Sequence, residues 1–407
     1  MNISMWFSIA ALFISVFSLP AHSHAQHNVI LSEIDGVPLV RTEGGPKYPG
    51  QLFEVEEELV LGIDEGEPEW QLFYGSPTIL VAPDGKMVLT DIRKCAVYIL
   101  TRDGELIAQV GGSGSGPGEF RQPYATMWAV NGESFLVNDY ALNRATGFSM
   151  TGDLLDTENY GQAMGGRIMR FVSLGDNRYL GRRIDVQGRI VAGQKIDKIK
   201  QYWFLNSKLE PAGAPVELNI QNSFAITTGL LSTIPYTREP ECIPYTDGRI
   251  LLAEPDEGRL TVLSSAGEPL KYIERDWARP RLSAEDKKEG RRRFVESDQA
   301  EMRRAAGQIR FPSRRTAFAR VMADDRGRIW VEYENGLAPA SALTDYYRCD
   351  VFGPDGVWLG IQEFDFYPAL ISGDHVYRRG SIEGEGPRLR RYSLNPTVPE
   401  ATGKTRK

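Results

Sequence analysis

Six charged residues, Arg170, Arg183, Glu241, Glu254, Arg320 and Glu332, stand at or beside two repeated offsets from tight-turn sequences in the middle of this chain. Arginine forks beside carboxylates can hold a polar ligand of anionic or zwitterionic character, because two parallel N–H bonds grip a carboxylate or phosphate. The same residues can equally neutralise one another as salt bridges between neighbouring strands, and their types leave both readings open. Histidine chemistry has little to work with. Beyond residue 25 the chain holds only His27 and His375, so a zinc centre is not expected. The glycine-rich run from Gly111 to Pro123, GGSGSGPGEFRQP, invites a phosphate-loop reading. It lacks, however, the Gly-Lys-Ser/Thr ending and a helix to follow it, and it suits a tight crossing between sheets better. No catalytic residue, metal or cofactor is expected.

The elements that must position these residues are hairpins. A strand, an Asp-Gly-type turn and a second strand appear at Val81–Leu89, Ala129–Val137, Tyr245–Leu252 and Ala323–Val331, and in weaker form at Leu174–Leu180 and Ile371–Tyr377. Gly or Asn at such turns tolerates the positive φ that a tight antiparallel connection demands. A second turn follows in five copies, 19 residues on from Gly85 to Gly104, 20 from Gly132 to Gly152 and 19 from Gly248 to Gly267. Such regularity predicts four-stranded units repeated six times. The sixth copy ends at Leu389–Leu394 without a fourth strand. Phe53–Ile63, near the start, offers a strand that could complete it and close the ring, removing two sheet edges.

Gly111 to Pro123, together with Asp139–Arg144 (DYALNR), resembles the NHL-repeat class of six-bladed β-propellers. The wider layout is similar to secreted bacterial six-bladed propellers of unassigned activity. The resemblance implies an all-β fold, a six-bladed β-propeller over residues 52–395 closed by an N-terminal strand, and it implies no particular reaction. Asp91 and Asp139 are expected to satisfy the loop amides of their blades. Metal-dependent lyases on this fold use a histidine-rich centre that has no counterpart here. A hydrolase resembling gluconolactonase-type propellers would need Glu241, Glu254 and Glu332 as oxygen ligands for calcium or magnesium, and the interleaved arginines oppose a dication.

In such a blade the first-to-second and third-to-fourth turns share one face, while the second-to-third loops and the inter-blade connections share the other. The short Asp-Gly turns occupy the first face. Every long insertion falls on the second: about ten extra residues after Arg183, then 221–239, 279–315 and 335–347. That elaborated face is expected to bind something. The longest insertion, helical over 280–312 between blades four and five, opens with Ser283 as a helix cap and Glu285 and Asp286 in the first turn. From Pro280 to Arg315 it carries eleven Lys and Arg against six Asp and Glu. It reads either as a solvated helix laced with ion pairs or as a lid or docking helix. Counting back seven residues from the first turns puts Thr78, Ala125, Arg170, Glu241, Arg320 and Tyr367 at the starts of the innermost strands. Counting forward six puts Asp91, Asn138, Arg183, Glu254 and Tyr333 at the outgoing ends of the second strands, with Glu332 and Arg379 beside that register.

Met5–Leu19 is apolar and is followed by Pro20 and Ser23-His24-Ala25, which reads as a secretory signal cleaved near Ala25, with an uncleaved anchor as the alternative. The expected location is periplasmic or extracellular, with no membrane span once the signal is removed. Residues 1–25 contain no Asp, Glu, Lys or Arg, so the formal net charge of -7 also describes the remainder and argues against nucleic acid as a partner. Cys95, Cys242 and Cys349 are an odd number and are expected as buried small apolar residues. Residues 26–51 form an extension of unassigned structure, and 396–407 are expected to be a disordered tail. The function these observations favour is a binding scaffold for a small polar, anionic ligand or for an envelope or extracellular protein.

Overall fold

The strands of this protein are short and mostly apolar where they are central, because each sheet is sandwiched between two others. The computed structural model describes residues 26–62, 69–71, 73, 77–128, 133–160, 170–175, 178–227, 231–332, 347–380 and 386–399. Their strands form six antiparallel-based sheets, each starting from an inner strand: Thr78–Val81, Pro123–Trp128, Arg170–Gly175, Glu241–Pro244, Arg320–Ala323 and Leu370–Ser372. In the first sheet Met87–Asp91 and Ala96–Leu100 are buried at every position, whereas the outer strand Leu106–Gly111 alternates between exposed and half-buried. Burial on both faces explains why these second and third strands lack the alternation of a one-sided sheet.

Apolar clusters lie between consecutive sheets. Val88 and Ile99 of the first meet Phe135 and Val137 of the second, Ala145 meets Phe171 and Tyr179, and Leu180 and Phe204 meet Ile250 and Leu263. The series continues with Leu251 and Ile273 against Val331 and Phe352, then Trp330 and Val351 against Val376 and Leu394. A further cluster joins Tyr377 and Leu389 of the sixth sheet to Met87, Leu89 and Tyr98 of the first. Each fully buried aliphatic side chain contributes about 1.5–3 kcal/mol. The stability of the fold is therefore distributed over these layers and does not depend on one central core. The architecture is an all-β propeller.

Residues 28–61 run as a strap over three sheets. Asn28–Ile34 and Val37–Glu43 make a hairpin, and Val37–Glu43 adds in parallel to Pro269–Arg275, the outer strand of the fourth sheet. The chain then passes the fifth sheet, with the Lys47 and Tyr48 amides donating to the Trp358 and Leu359 carbonyls and Gln51 bridging to Ile361. Gly360 is what lets the strap lie so close, since a Cβ there would stand 2.7 Å from Leu52. Phe53–Leu61 finally pairs antiparallel with Arg388–Pro396 of the sixth sheet. Two stretches of the N-terminal extension, Asn28–Ile34 and Val37–Glu43, are thus sheet. Of the expected tail, Pro396 is still in strand and the Thr397 hydroxyl donates to the Gln51 carbonyl, while residues 400–407 lie outside the described residues.

Two inner-strand starts are displaced from the counted positions. The second sheet opens at Pro123, two residues before Ala125, and the sixth opens at Leu370, three residues after Tyr367. The sixth hairpin turns in two residues, with Ser372 opposite His375. The first has a longer connection from Val81 to Met87, so one fixed offset cannot serve both. The third sheet carries the other departure. Its second and third strands lengthen to Arg178–Val186 and Lys195–Leu205, and its fourth, Val216–Ala225, folds back into a fifth, Leu231–Thr233. Gln221 therefore lies in a strand and not at the start of an insertion.

The insertion between the fourth and fifth sheets contains α1, Ala284–Val295, and α2, Ala300–Ala305. Ser283 caps α1 in a reciprocal box in which its hydroxyl accepts from the Asp286 amide and the Asp286 carboxylate accepts from the Ser283 amide. Lys288–Glu285, Arg292–Glu289 and Arg304–Glu301 pair along the helices. The apolar side of the insertion is not free. Phe294, Ala305, Ala306 and Ile309 pack on Phe224, Ile226 and Ile234 of the elaborated third sheet.

Candidate ligand-binding site

The glycine-rich crossing is built as a connector. The Asp139 carboxylate accepts from the amides of Arg121 (2.7 Å), Gln122 (3.2 Å), Ala141 (3.0 Å) and Leu142 (3.0 Å). The Arg144 guanidinium donates to the carbonyls of Ser115, Gly116 and Glu119. The concavity that a phosphate would need is filled by the chain's own carboxylate, since the Gly116 amide donates to Glu119 at 2.7 Å. Gly111 is required where the chain leaves the first sheet, because its φ is 97° and a Cβ would lie 2.6 Å from the Cys95 carbonyl. Asp91 likewise accepts from the Arg93 and Lys94 amides. Cys95, Cys242 and Cys349 are free and buried.

Four of the six candidate residues are taken up in local ion pairs. Arg320 lies opposite Glu332 in the register of the fifth sheet, its Nε and Nη2 donate to Glu332 Oε2 at 2.9 and 2.8 Å, and its guanidinium lies 4.2 Å over the Tyr367 ring. Glu241 accepts from Arg182 at 3.2 Å. Arg183 points to the other side of its strand and donates to Asp185 at 2.9 Å. The first hairpin of that sheet keeps the register of the others, with Arg170 opposite Arg182 as Arg320 is opposite Glu332, and successive side chains of a strand face opposite sides, so it is Arg182 that reaches Glu241. Arg170 stands opposite Arg182 on the neighbouring strand, and its side chain lies outside the described residues, as do Tyr333 and 335–346. Burial raises the Glu254 carboxyl against the pull of Arg259, and the Thr261 hydroxyl donates to it at 3.5 Å. Among the described residues no group of three His, Cys, Asp or Glu side chains is placed to hold a metal, so Glu241, Glu254 and Glu332 do not converge.

What the elaborated face does form is a hollow of about 610 Å³ between the extra strands of the third sheet and the end of the helical insertion. Asn219–Asn222 and Lys195 contribute one wall, Ile234 to Pro240 a second, and Arg310–Pro312 a third, with Asp256 from the second-to-third loop of the fourth sheet. Among the described residues that line it, Lys195, Arg238 and Arg310 are cations and Asp256 is a carboxylate. Lys195 Nζ donates to Gln221 at 3.2 Å. Burial raises the Asp256 carboxyl, Arg279 draws it back in part, and Glu257 raises it further. Behind the wall, Lys198 and Lys200 donate to Glu239 at 2.7 and 2.9 Å. Burial alone would raise Glu239, but the two ammonium groups outweigh it and hold the carboxyl below its ordinary range.

The walls are fixed by contacts across the insertion. Tyr236, held at a positive φ of 66°, donates its hydroxyl to the Asp286 carbonyl at 2.7 Å. Arg315 reaches over the Tyr236 ring and donates to the Asp286 carboxylate at 3.1 Å. The segments 221–239 and 279–315 were visible in the sequence as insertions, but Lys195, Arg238, Asp256 and Arg310 were not singled out. Nothing in their local sequence marks them, because they meet only when two insertions from different sheets pack together.

A second hollow, of about 450 Å³, is lined by the turn residues 81–85 of the first sheet, Asp325 and Arg326 of the fifth, and the two-residue turn at Gly373 and Asp374 of the sixth. Its charges are mostly spent within the protein. Arg326 pairs with Asp374, Asp325 accepts from the Gly373 amide, and His375 and Arg391 share Glu58.

No family model matches the chain, and no curated protein matches it. Among solved structures it is similar to an exported-protein candidate of Bacteroides fragilis, with a TM-score of 0.51 at 10% identity over 88% of this chain and 99% of that one. It is similar also to a member of the DUF4221 family from Bacteroides vulgatus, with a TM-score of 0.50 at 11% identity over 86% and 100%. Virginiamycin B lyase from Staphylococcus aureus aligns at a TM-score of 0.36, 13% identity and 84% and 100% coverage, a likeness too slight to carry an argument. No helix among the described residues is long and apolar enough to cross a membrane. At these identities the likeness concerns the fold alone, and the fold is that of an all-β propeller.

Proposed function

We propose that this chain is a secreted binding scaffold, a six-bladed propeller of NHL-like construction closed by its N-terminal strand, and that it recognises a small polar, anionic ligand on its elaborated face without catalysing a reaction. The observation that carries the reading is the hollow between the two insertions, where three cations face one carboxylate of raised pKa in a chain of net charge -7. A local excess of positive charge in an acidic protein favours an anion over a cation. Its volume falls in the range of small-molecule sites. In this reading Arg182–Glu241 and Arg320–Glu332 brace strand ends beneath the site, and Arg183 braces its own strand through Asp185. Secretion agrees with the apolar Met5–Leu19 segment and with the exported-protein description of one similar structure.

The test is a thermal-shift titration with succinate and inorganic phosphate against sodium chloride of equal ionic strength. Saturable stabilisation by an anion, lost in Lys195→Ala/Arg310→Ala, is the expected result. Equal shifts with chloride, or shifts unchanged in the double variant, would remove this site from consideration.

A further inference from the structure

The hollow between the insertions has an apolar floor as well as a cationic rim. Ile234 and Phe311 line the cavity and also belong to the cluster formed with Phe224, Ile226, Phe294 and Ile309. That cluster is separate from the layers between sheets and exists only because the insertion packs on the third sheet. Pro240 and Pro312 add further apolar lining, so the cavity leads from ammonium and guanidinium groups onto hydrocarbon. Phe311 is held there from behind, because Gly290 of α1 lies so close to it that a Cβ would stand 2.8 Å away, and Arg291 lies 4.6 Å over its ring. A fully solvated inorganic anion would leave this floor unused, and a neutral apolar molecule would leave the rim unmatched.

We infer that the ligand class of this site is an amphipathic organic anion, with a carboxylate, sulfonate or phosphate head at Lys195, Arg238 and Arg310 and an apolar or aromatic body against Ile234 and Phe311. The inference rests on the anion-binding reading of the same hollow and narrows it. Contact of the body with the floor removes apolar surface from water, while the head gains charge-assisted hydrogen bonds at the rim. Neither half alone exploits the whole cavity.

The experiment uses 1-anilinonaphthalene-8-sulfonate as the probe, its uncharged relative N-phenyl-1-naphthylamine, and inorganic phosphate as competitor, all with the folded full chain. The sulfonate is expected to bind at one saturable site, at least tenfold more tightly than the uncharged relative. Phosphate at matched ionic strength should displace it poorly. Lys195→Ala/Arg310→Ala should weaken the sulfonate at least tenfold, and Phe311→Ala should weaken both aromatic probes, while Arg304→Ala, on the exposed side of α2, changes neither. Each variant is checked for an unchanged cooperative melt, because exposed core would also bind these dyes. Equal binding of charged and uncharged probes would overturn the inference. So would stabilisation by succinate or phosphate without any sulfonate binding, which would leave the simpler anion reading standing. No response to any anion would end both.

Discussion

Replacing Asp139 by Ala offers the sharpest test of how this propeller is held together. The side chain is fully buried and its two oxygens accept four backbone amides, two from the incoming crossing at Arg121 and Gln122 and two from the turn at Ala141 and Leu142. Hydrogen bonds to a charged acceptor are worth about 1.5–3 kcal/mol each, and an orphaned buried donor costs about 1–3 kcal/mol. Water can reach some of these partly buried amides once the carboxylate is gone, so roughly half the loss is recovered, leaving about 3–5 kcal/mol. Asp139→Asn keeps one acceptor oxygen but loses the charge, and should cost about 1–2 kcal/mol by the same arithmetic. Urea unfolding followed by tryptophan fluorescence, with the slope unchanged and the midpoint lowered, measures both values. A loss below about 1 kcal/mol for the Ala variant would refute the claim that this residue organises the crossing.

Four other outcomes follow from the geometry. A double-mutant cycle on Arg320 and Glu332 should give a stability coupling of about 1 kcal/mol, and zero coupling would mean that the two are not partners in solution. Burial raises Asp350 to about 6 from 3.8, despite Arg275 and the Trp277 ring N–H, each 2.8 Å from its Oδ2. Its contribution is therefore present in full below pH 4 and is lost as pH rises to 6, by roughly 3 kcal/mol at 1.36 kcal/mol per unit. Asp350→Asn should lack that slope, and parallel stability profiles for variant and wild type would contradict the assignment. Because Asp256 is raised by burial, anion binding at the hollow should tighten as pH falls through its titration, and Asp256→Asn should bind tightly throughout; a pH-independent wild type would count against this. Deleting residues 26–44 removes the hairpin on the fourth sheet and uncovers the surface against which Leu39 and Val40 are buried. A loss of about 3–5 kcal/mol in urea unfolding is expected, and unchanged stability would show that the hairpin does not dock.

Much of this fold could be read from turn spacing because the physics involved is local. An Asp-Gly or Asn-Gly turn between apolar runs specifies an antiparallel hairpin whatever surrounds it, and the six hairpins pair as the turns require. The Ser283 cap and the amide-satisfying role of Asp139 are equally short-range and equally visible. The counted positions failed where a turn differs in length, as in the sixth sheet, whose hairpin turns in two residues, and counting alone did not separate Arg183 from Arg182, which faces the other side of the strand and reaches Glu241.

By itself the sequence determined the six antiparallel hairpins and the acidic balance of the chain, since each hairpin depends on residues a few positions apart. Only the tertiary structure decided that residues 28–51 lie across the fourth and fifth sheets, that the strand-end charges pair with neighbouring side chains, and that Lys195, Arg238 and Arg310 border one cavity. Those contacts join segments tens to hundreds of residues apart, and their energies come from burial and charge neutralisation between surfaces that no local pattern encodes.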